Sequence, residues 1–464
     1  MQKILDQTLK YLPSLNESAF EGEITTDEMI ATVNDVVLSN LPAMESLQAN
    51  KQSQQLLVVL GLIGSSVERH VQQAAIKQSI STTACAEKYS VQRDGAVAGR
   101  GLARLHTSRR TPFIVYFQHV ARLLNHPRRD SFITFVEFNG PAIELRHPAT
   151  FQPWRTFPAV MPEGSFYTFT RQQAEVDFIR LLKKSFVLQT AANEFLSAVQ
   201  DPAVDLASDR AIKATFNATI LIYAIHAELV AFMQQDCFDT DFFLDCFRQY
   251  ACAWSSTHPL KPPSGANDAA SLQRDLMLFD ELIPASNRFP GYRAHVRKTF
   301  SVLTPNLIQQ LEQTMAQPSI ETKIVNQIGF DPAQVSRKTA IDTLLQYPWL
   351  SAYCQLYLAQ RRLSRIHYAS VQKYLMRPKQ IRDKERDRRE DITVVSNRYG
   401  TTGMKPLGIL KRIDEARASH CLAKFTSDRS VRTVFDKQSQ EMGYRPLSSV
   451  QLRMLVAIKQ HSRC

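Results

Sequence analysis

Glycine is scarce in this chain, at 15 of 464 residues, and no internal repeat or low-complexity tract interrupts it. That scarcity weighs against an all-β architecture, whose many tight turns need residues that tolerate positive φ. Long hydrophobic runs are missing too. The strongest, Leu56 to Ile63 (LLVVLGLI), falls well short of the roughly 20 residues a bilayer-spanning helix needs, so no membrane span is expected. The opening MQKILDQTLKYLPSL scatters acidic and polar residues among its apolar ones and has no continuous apolar region before a small-residue cleavage site. No export signal is expected. The seven cysteines are scattered, without a CxxC pair, and HExxH does not occur, which disfavours zinc and dithiol chemistry. A reduced, cytoplasmic protein with buried thiols is the expectation.

What is present is a chain 44% hydrophobic, ample for one large or two ordinary domains. The net charge is +12, with much of the excess between Arg361 and Arg412. Such an excess can bind polyanions. However, Arg377 to Asp391 (RPKQIRDKERDRRED) mixes both signs and reads as a solvated loop before it reads as a nucleic-acid arm. Nucleic-acid binding is therefore disfavoured.

Apolar residues recur at three- and four-residue intervals through most of the chain, which predicts an all-α protein. Helices are expected near 26–46, 51–80, 171–200, 207–235, 239–255, 268–284, 293–316, 336–376 with a break before Pro348, 404–424 and 446–461. Strand-like alternation occurs only at Ser131 to Phe138 (SFITFVEF). Between about 85 and 170 the chain is rich in Arg and X-Pro, and it is expected to wrap irregularly over a helical core. The layout is a smaller N-terminal portion, 1–150, and a larger helical portion, 151–464.

The strongest local signal is Arg361 to Leu375 (RRLSRIHYASVQKYL), a continuous helix expected to stop at Pro378. Leu363, His367, Ser370, Val371 and Tyr374 share one face. An imidazole there can present Nε2 to an iron, although a lone histidine on an apolar face is more often a core residue. After the charged loop comes Tyr399-Gly-Thr-Thr-Gly-Met404, a glycine-flanked hydroxyl cluster. It can either cap a helix or hold a carboxylate.

Together these residues resemble the C-terminal part of the indoleamine and tryptophan 2,3-dioxygenase superfamily. There an H-x-x-x-V-x-K-Y helix carries the proximal histidine, and a variable polar loop and a G-T-G-G-type closing segment follow. A second similarity is Ser264 to Gln273 (SGANDAASLQ) running into Phe279-Asp-Glu281, which looks like the family's small-residue stretch and F-D helix. The resemblance spans about residues 165 to 424 and implies an indoleamine-dioxygenase-type helical bundle holding haem b on His367. It also implies that Ser264, Gly265 and Arg365 contact the cofactor and that Gly400, Thr401, Thr402 and Gly403 contact the substrate.

The pattern departs in places. Ser364 stands where the family has an arginine for a haem propionate, so Arg365 or Arg362 would have to substitute. The stretch between Trp254 and Ser264 lacks the family's substrate-gripping Phe and Arg pattern. The wording looks closer to the divergent branch typified by monodechloroaminopyrrolnitrin synthase. The implied function is a haem-dependent oxygenase using dioxygen on tryptophan or an indole derivative. The implied partners are that small molecule and dioxygen, with a homodimer compatible and no catalytic base assigned among His119, His126, His226 and His258. The alternatives are a non-catalytic haem sensor on the same fold and a basic helical nucleic-acid-binding protein.

Overall fold

Buried Ile4, Leu5 and Leu12 hold the first segment in a helix, α1 (Gln2–Glu21), which continues through Pro13. It packs with α2 (Thr26–Leu38) on α3 (Lys51–Ser81), whose apolar run 56–63 is almost wholly buried. Helix α4 (Ile114–Leu123) covers α3 from another side. The computed structural model describes residues 2–81, 114–128, 131–161, 166–235, 238–251, 265, 268–280, 291–330, 335–385, 411, 413, 415 and 420–458. Beyond α4 come a small sheet strand, β1 (Ile143–Arg146), and its hairpin partner β2 (Pro153–Phe157). The third strand, β3 (Val456–Ile458), pairs antiparallel on the other edge of β1, and the inward-facing Ile143 and Leu145 of β1 are buried.

Helices α5 (Gln173–Gln200) and α6 (Asp209–Gln234) form the centre of the molecule. Ser208 caps α6 by accepting the Ala211 amide. Helix α6 is long and apolar enough by composition to cross a membrane, and here it lies packed between α5 and the histidine helix. Helix α7 (Ala269–Leu278), capped by Asp268, lies across α5. Then follow α8 (Tyr292–Arg297), α9 (Pro305–Ala316), α10 (Ile320–Ile328) and α11 (Arg337–Gln346). The histidine helix, α12 (Leu350–Val371), packs along α6 and runs through a π turn, Gln372–Met376, into α13 (Arg377–Glu385). Helices α14 (Ala423–Ser427), α15 (Arg429–Glu441) and α16 (Ser449–Met454) close the fold against α6, α11 and α12. The described residues are thus mostly helical, as the periodicity predicts.

The main buried core divides in two. One cluster joins α1, α3, α4, Tyr167, Phe169, Phe247 and Tyr250; the larger joins β1, α5 to α12 and the C-terminal helices.

Several expectations are corrected. Ser131 to Phe138 is no strand. Ile133 to Glu137 form a π turn with Ile133, Thr134 and Val136 buried, so period-two alternation there does not report a half-buried sheet face. The strands lie instead at 143–146, 153–157 and 456–458. Pro378 does not stop the histidine helix: it sits in the first turn of α13, where its missing N–H is absorbed by the preceding π turn. The expected helix over 239–255 is, in its described part up to 251, a π turn, Phe242–Cys246, followed by a 3-10 turn to Tyr250; residues 252–255 lie outside the described residues. The expected helix 293–316 breaks where Thr304 caps a new start at Pro305. Helix α10, unread from the sequence, is bracketed by the Ser319 cap and by Gly329 in the left-handed region, φ 78°. Within the irregular wrap, Gly140 is required: φ is +100° and a Cβ would meet the Phe166 ring at 2.4 Å. Its neighbour Asn139 donates to the Tyr167 carbonyl (2.8 Å) and accepts the Tyr167 amide (2.9 Å), so this strap is pinned at one point.

Candidate functional site

A cavity of about 590 Å³ lies where the two core clusters meet. Its walls come from α3, the π turn at 133–137, α5, α6, the 243–251 turn, α7, α8 and the histidine helix. A volume of this size suits a drug-sized or cofactor-sized molecule.

One side is aromatic. Eight phenylalanines line it, among them Phe178, which stacks on Phe238 (5.6 Å between centroids) and meets Phe247 edge-on (5.3 Å). Phe169 lies parallel to Tyr250 at 4.3 Å. Such surfaces favour a flat, apolar ligand and exclude water.

The other side is a hydrogen-bonded polar strip from α5, α7, α8 and α12. Asp268 Oδ2 accepts from Gln189 Nε2 (2.9 Å), and Gln189 Oε1 accepts from Arg274 Nη1 (2.6 Å). Arg274 Nη2 also donates to Ser271 Oγ (3.2 Å) and lies 3.9 Å from Asp275. Asp275 Oδ2 accepts from Tyr292 Oη (3.1 Å), and its Oδ1 accepts from Gln360 Nε2 (3.3 Å). Burial pushes the Asp268 carboxyl up to about 6 against the pull of Arg274. Behind it, burial and the nearby Asp268 push Glu137 up to about 8, while burial lowers Lys183 to about 8.

The histidine helix supplies the third wall. Leu363, His367, Ser370, Val371 and Tyr374, the residues placed on one face by spacing, all line the cavity, together with Gln360 and Ser364. The His367 side chain is exposed to this space, and its carbonyl accepts the Ser370 hydroxyl (2.7 Å). Gly265 also lines the cavity, and a Cβ built there meets nothing within 4 Å. The small-residue segment and the histidine helix, far apart in sequence, thus border one space.

Other expected site residues fall elsewhere. Arg365 is exposed and does not line the cavity; Arg362 lies 5.6 Å over the Tyr223 ring. Ser264, Gly400, Thr401, Thr402 and Gly403, and with them His258, lie outside the described residues. Of the other histidines, His126 is buried off the cavity, with burial lowering it to about 4; His119 and His226 do not line it either.

Sequence reasoning missed Arg248, Arg274 and His295, which all line the cavity. Arg274 was legible in principle as a cation inside the segment likened to the family's F-D helix. His295 lies on a helix too short to give a periodic signal. The charged segment after the histidine helix is in part structural: Arg382 is buried and donates to Asp245 at 2.6 and 2.9 Å and to Asp241.

A second donor set, Glu321, His420 and Cys421, has its ligand atoms within 4.8 Å of one another. Its hydrogen bonds are those of a clamp. Glu321 Oε1 accepts the Cys421 amide (2.9 Å), His420 Nδ1 accepts the Leu422 amide (3.1 Å), and the His420 ring stacks on Tyr357 at 4.5 Å. These contacts tie the segment before α14 to α10 and α12.

No protein-family model matches the chain, and no curated protein is similar to it.

Proposed function

We propose that the chain is a haem-dependent oxygenase of the indoleamine 2,3-dioxygenase-like superfamily, acting with dioxygen on tryptophan or an indole derivative. One observation carries the reading: His367, exposed in the C-terminal part of the histidine helix, lines a 590 Å³ cavity whose opposite side is aromatic. The fit to haem b rests on the donor set and the space. A neutral imidazole on a rigid helix is the ordinary protein ligand of a b-type haem, and the open space at Gly265 leaves room for a flat macrocycle to approach backbone. Arg248 and Arg274 place positive charge on the wall for its carboxylates, the part Arg365 was expected to play.

When bound, ferrous haem supplies the chemistry that activates dioxygen for insertion at the indole C2–C3 bond or a related rearrangement. The protein's own residues hold and orient. His367 fixes the cofactor, Phe178, Phe238 and Phe247 keep the indole plane in a dry environment, and the polar strip aligns its heteroatoms. The segment 400–403 is proposed, on sequence grounds, to contact the amino acid part of the substrate.

The test is a visible spectrum of purified protein, as isolated and after added hemin, with dithionite and carbon monoxide. A Soret band that shifts with carbon monoxide is expected. A colourless preparation that does not take up hemin overturns the reading.

A further inference from the structure

Helix α5 supplies the wall that runs from the aromatic side of the cavity to the polar strip. Phe178, Leu181, Leu182, Ser185 and Gln189 recur at three- and four-residue steps and all line the space, so one face of this helix is turned to it. Helix α5 and the histidine helix both pack along α6, and each presents its own face to the cavity, so Ser185 and His367 belong to different walls. Along the α5 face the character changes in order. Phe178 belongs to the phenylalanine cluster, and Gln189 to the hydrogen-bonded strip. Ser185 stands between them, about 10 Å along the axis from Phe178 and one turn before Gln189, with Leu181 and Leu182 in the turn preceding it.

The Ser185 hydroxyl is uncommitted. A helical serine or threonine often returns its hydroxyl to the carbonyl four residues earlier, as Ser364 does to Gln360, Thr215 to Ala211 and Thr219 to Thr215, each at 2.8 Å. Ser185 makes no such bond to Leu181 and no hydrogen bond to any described residue. Elsewhere on the cavity wall, Thr134, Ser271, Ser364 and Ser370 are all engaged with protein partners. Ser185 is half-buried, and its oxygen is open to the cavity, in contrast to the Gln360 carbonyl, which is sealed within the wall. A ligand N–H taken out of water beside leucine and phenylalanine loses free energy unless it meets an acceptor, and a serine oxygen offers two lone pairs.

We propose that Ser185 is a specificity-determining residue whose Oγ accepts a hydrogen bond from the ring N–H of a bicyclic ligand resting on the phenylalanines. The inference rests on reading the cavity as an indole-type site and adds the protein atom that recognises the ring edge. Indole carries the donor. Indene, the same fused bicycle with CH2 in place of N–H, can neither donate nor accept.

The experiment is calorimetric titration of the full-length, hemin-treated protein with indole and with indene, for the wild type and Ser185→Ala. Alanine is the best helix former, so the variant keeps the fold and removes one hydroxyl. Indole is expected to bind Ser185→Ala about fivefold more weakly than the wild type, the order of one net hydrogen bond, while indene stays within about twofold. An equal loss for both ligands would assign Ser185 a packing role and overturn the inference. So would unchanged indole affinity in Ser185→Ala, or a wild type that binds neither bicycle. The Soret band is read on the same samples. Haem uptake without loss of indole affinity in Ser185→Ala defeats this inference alone, whereas a protein that takes up no hemin defeats the haem reading, and the titration still reports ring selectivity.

Discussion

Arg382 grips both carboxylate oxygens of Asp245, at 2.6 and 2.9 Å, and so fastens α13, the helix that continues from the histidine helix, to the π turn at 242–246. That turn carries Phe243, and Phe247 and Arg248 follow it directly, so the ion pair fixes the spacing between the histidine wall and the aromatic wall of the cavity. The fork of a guanidinium makes such a pair directional as well as attractive.

Replacing Arg382 with Met removes the fork and keeps most of the buried stem. Asp245 and Asp241 remain partly exposed, so water takes over their charge and the loss stays near that of charged hydrogen bonds, about 2 kcal/mol. Urea denaturation checks the stability. Hemin affinity should also fall, because two cavity walls lose their common brace; unchanged stability and affinity would show that the pair is ornamental.

His367→Ala is expected to weaken hemin retention by about tenfold or more, since even residues that only support a metal ligand contribute that much. His295→Ala, on the opposite short helix of the same cavity, is the sharper comparison. It should leave retention within about twofold and alter only the spectral response to added ligands. Gel filtration of hemin-loaded protein, followed at the Soret band, separates the two. Equal retention in wild type and His367→Ala would remove His367 as the proposed ligand.

How much of this was legible beforehand follows from which forces act locally. The face of the histidine helix was, because Leu363, His367, Ser370, Val371 and Tyr374 obey a spacing that backbone geometry enforces. The break before Pro348 was as well: α11 ends at Gln346 and α12 begins at Leu350. The continuation past Pro378 was not, because a π turn can absorb a missing N–H and the pull of Asp245 on Arg382 comes from residues more than a hundred positions upstream. The polar strip was equally hidden. Gln189, Asp275, Tyr292 and Gln360 are unremarkable polar residues in their own helices, and only the packing of α5, α7, α8 and α12 turns them into a chain.

Glu175 gives a pH-dependent handle on that packing. It is fully buried and accepts the Phe169 amide (2.7 Å), the Thr170 amide (2.8 Å) and the Thr170 hydroxyl (2.7 Å). Burial still outweighs these donors and pushes it up to about 7. A carboxyl raised in the folded state contributes stability that is complete below its unfolded pKa, near 4.5, and is lost as pH rises through about 7. Glu175→Gln removes this dependence. The stability of the wild type relative to Glu175→Gln should therefore fall by roughly 2 kcal/mol between pH 5 and pH 8. Paired urea titrations at the two pH values measure it, and a difference that grows with pH would contradict the assignment.

Gly265 separates a cofactor role from a folding role. Its φ lies outside the left-handed region and a Cβ meets nothing within 4 Å among the described residues, so no described contact requires glycine there. Gly265→Ala should change stability by no more than about 0.5 kcal/mol, as at any unconstrained site. Gly265→Phe directs a ring into the cavity, and if a macrocycle approaches this backbone the ring must displace it. Hemin affinity should then drop by about tenfold, the effect of losing one good packing contact in a confined site, while thermal stability stays close to wild type. Tight hemin binding in Gly265→Phe would mean that the cofactor lies away from this edge, and the small-residue segment would then have to be read as a plain connection into α7.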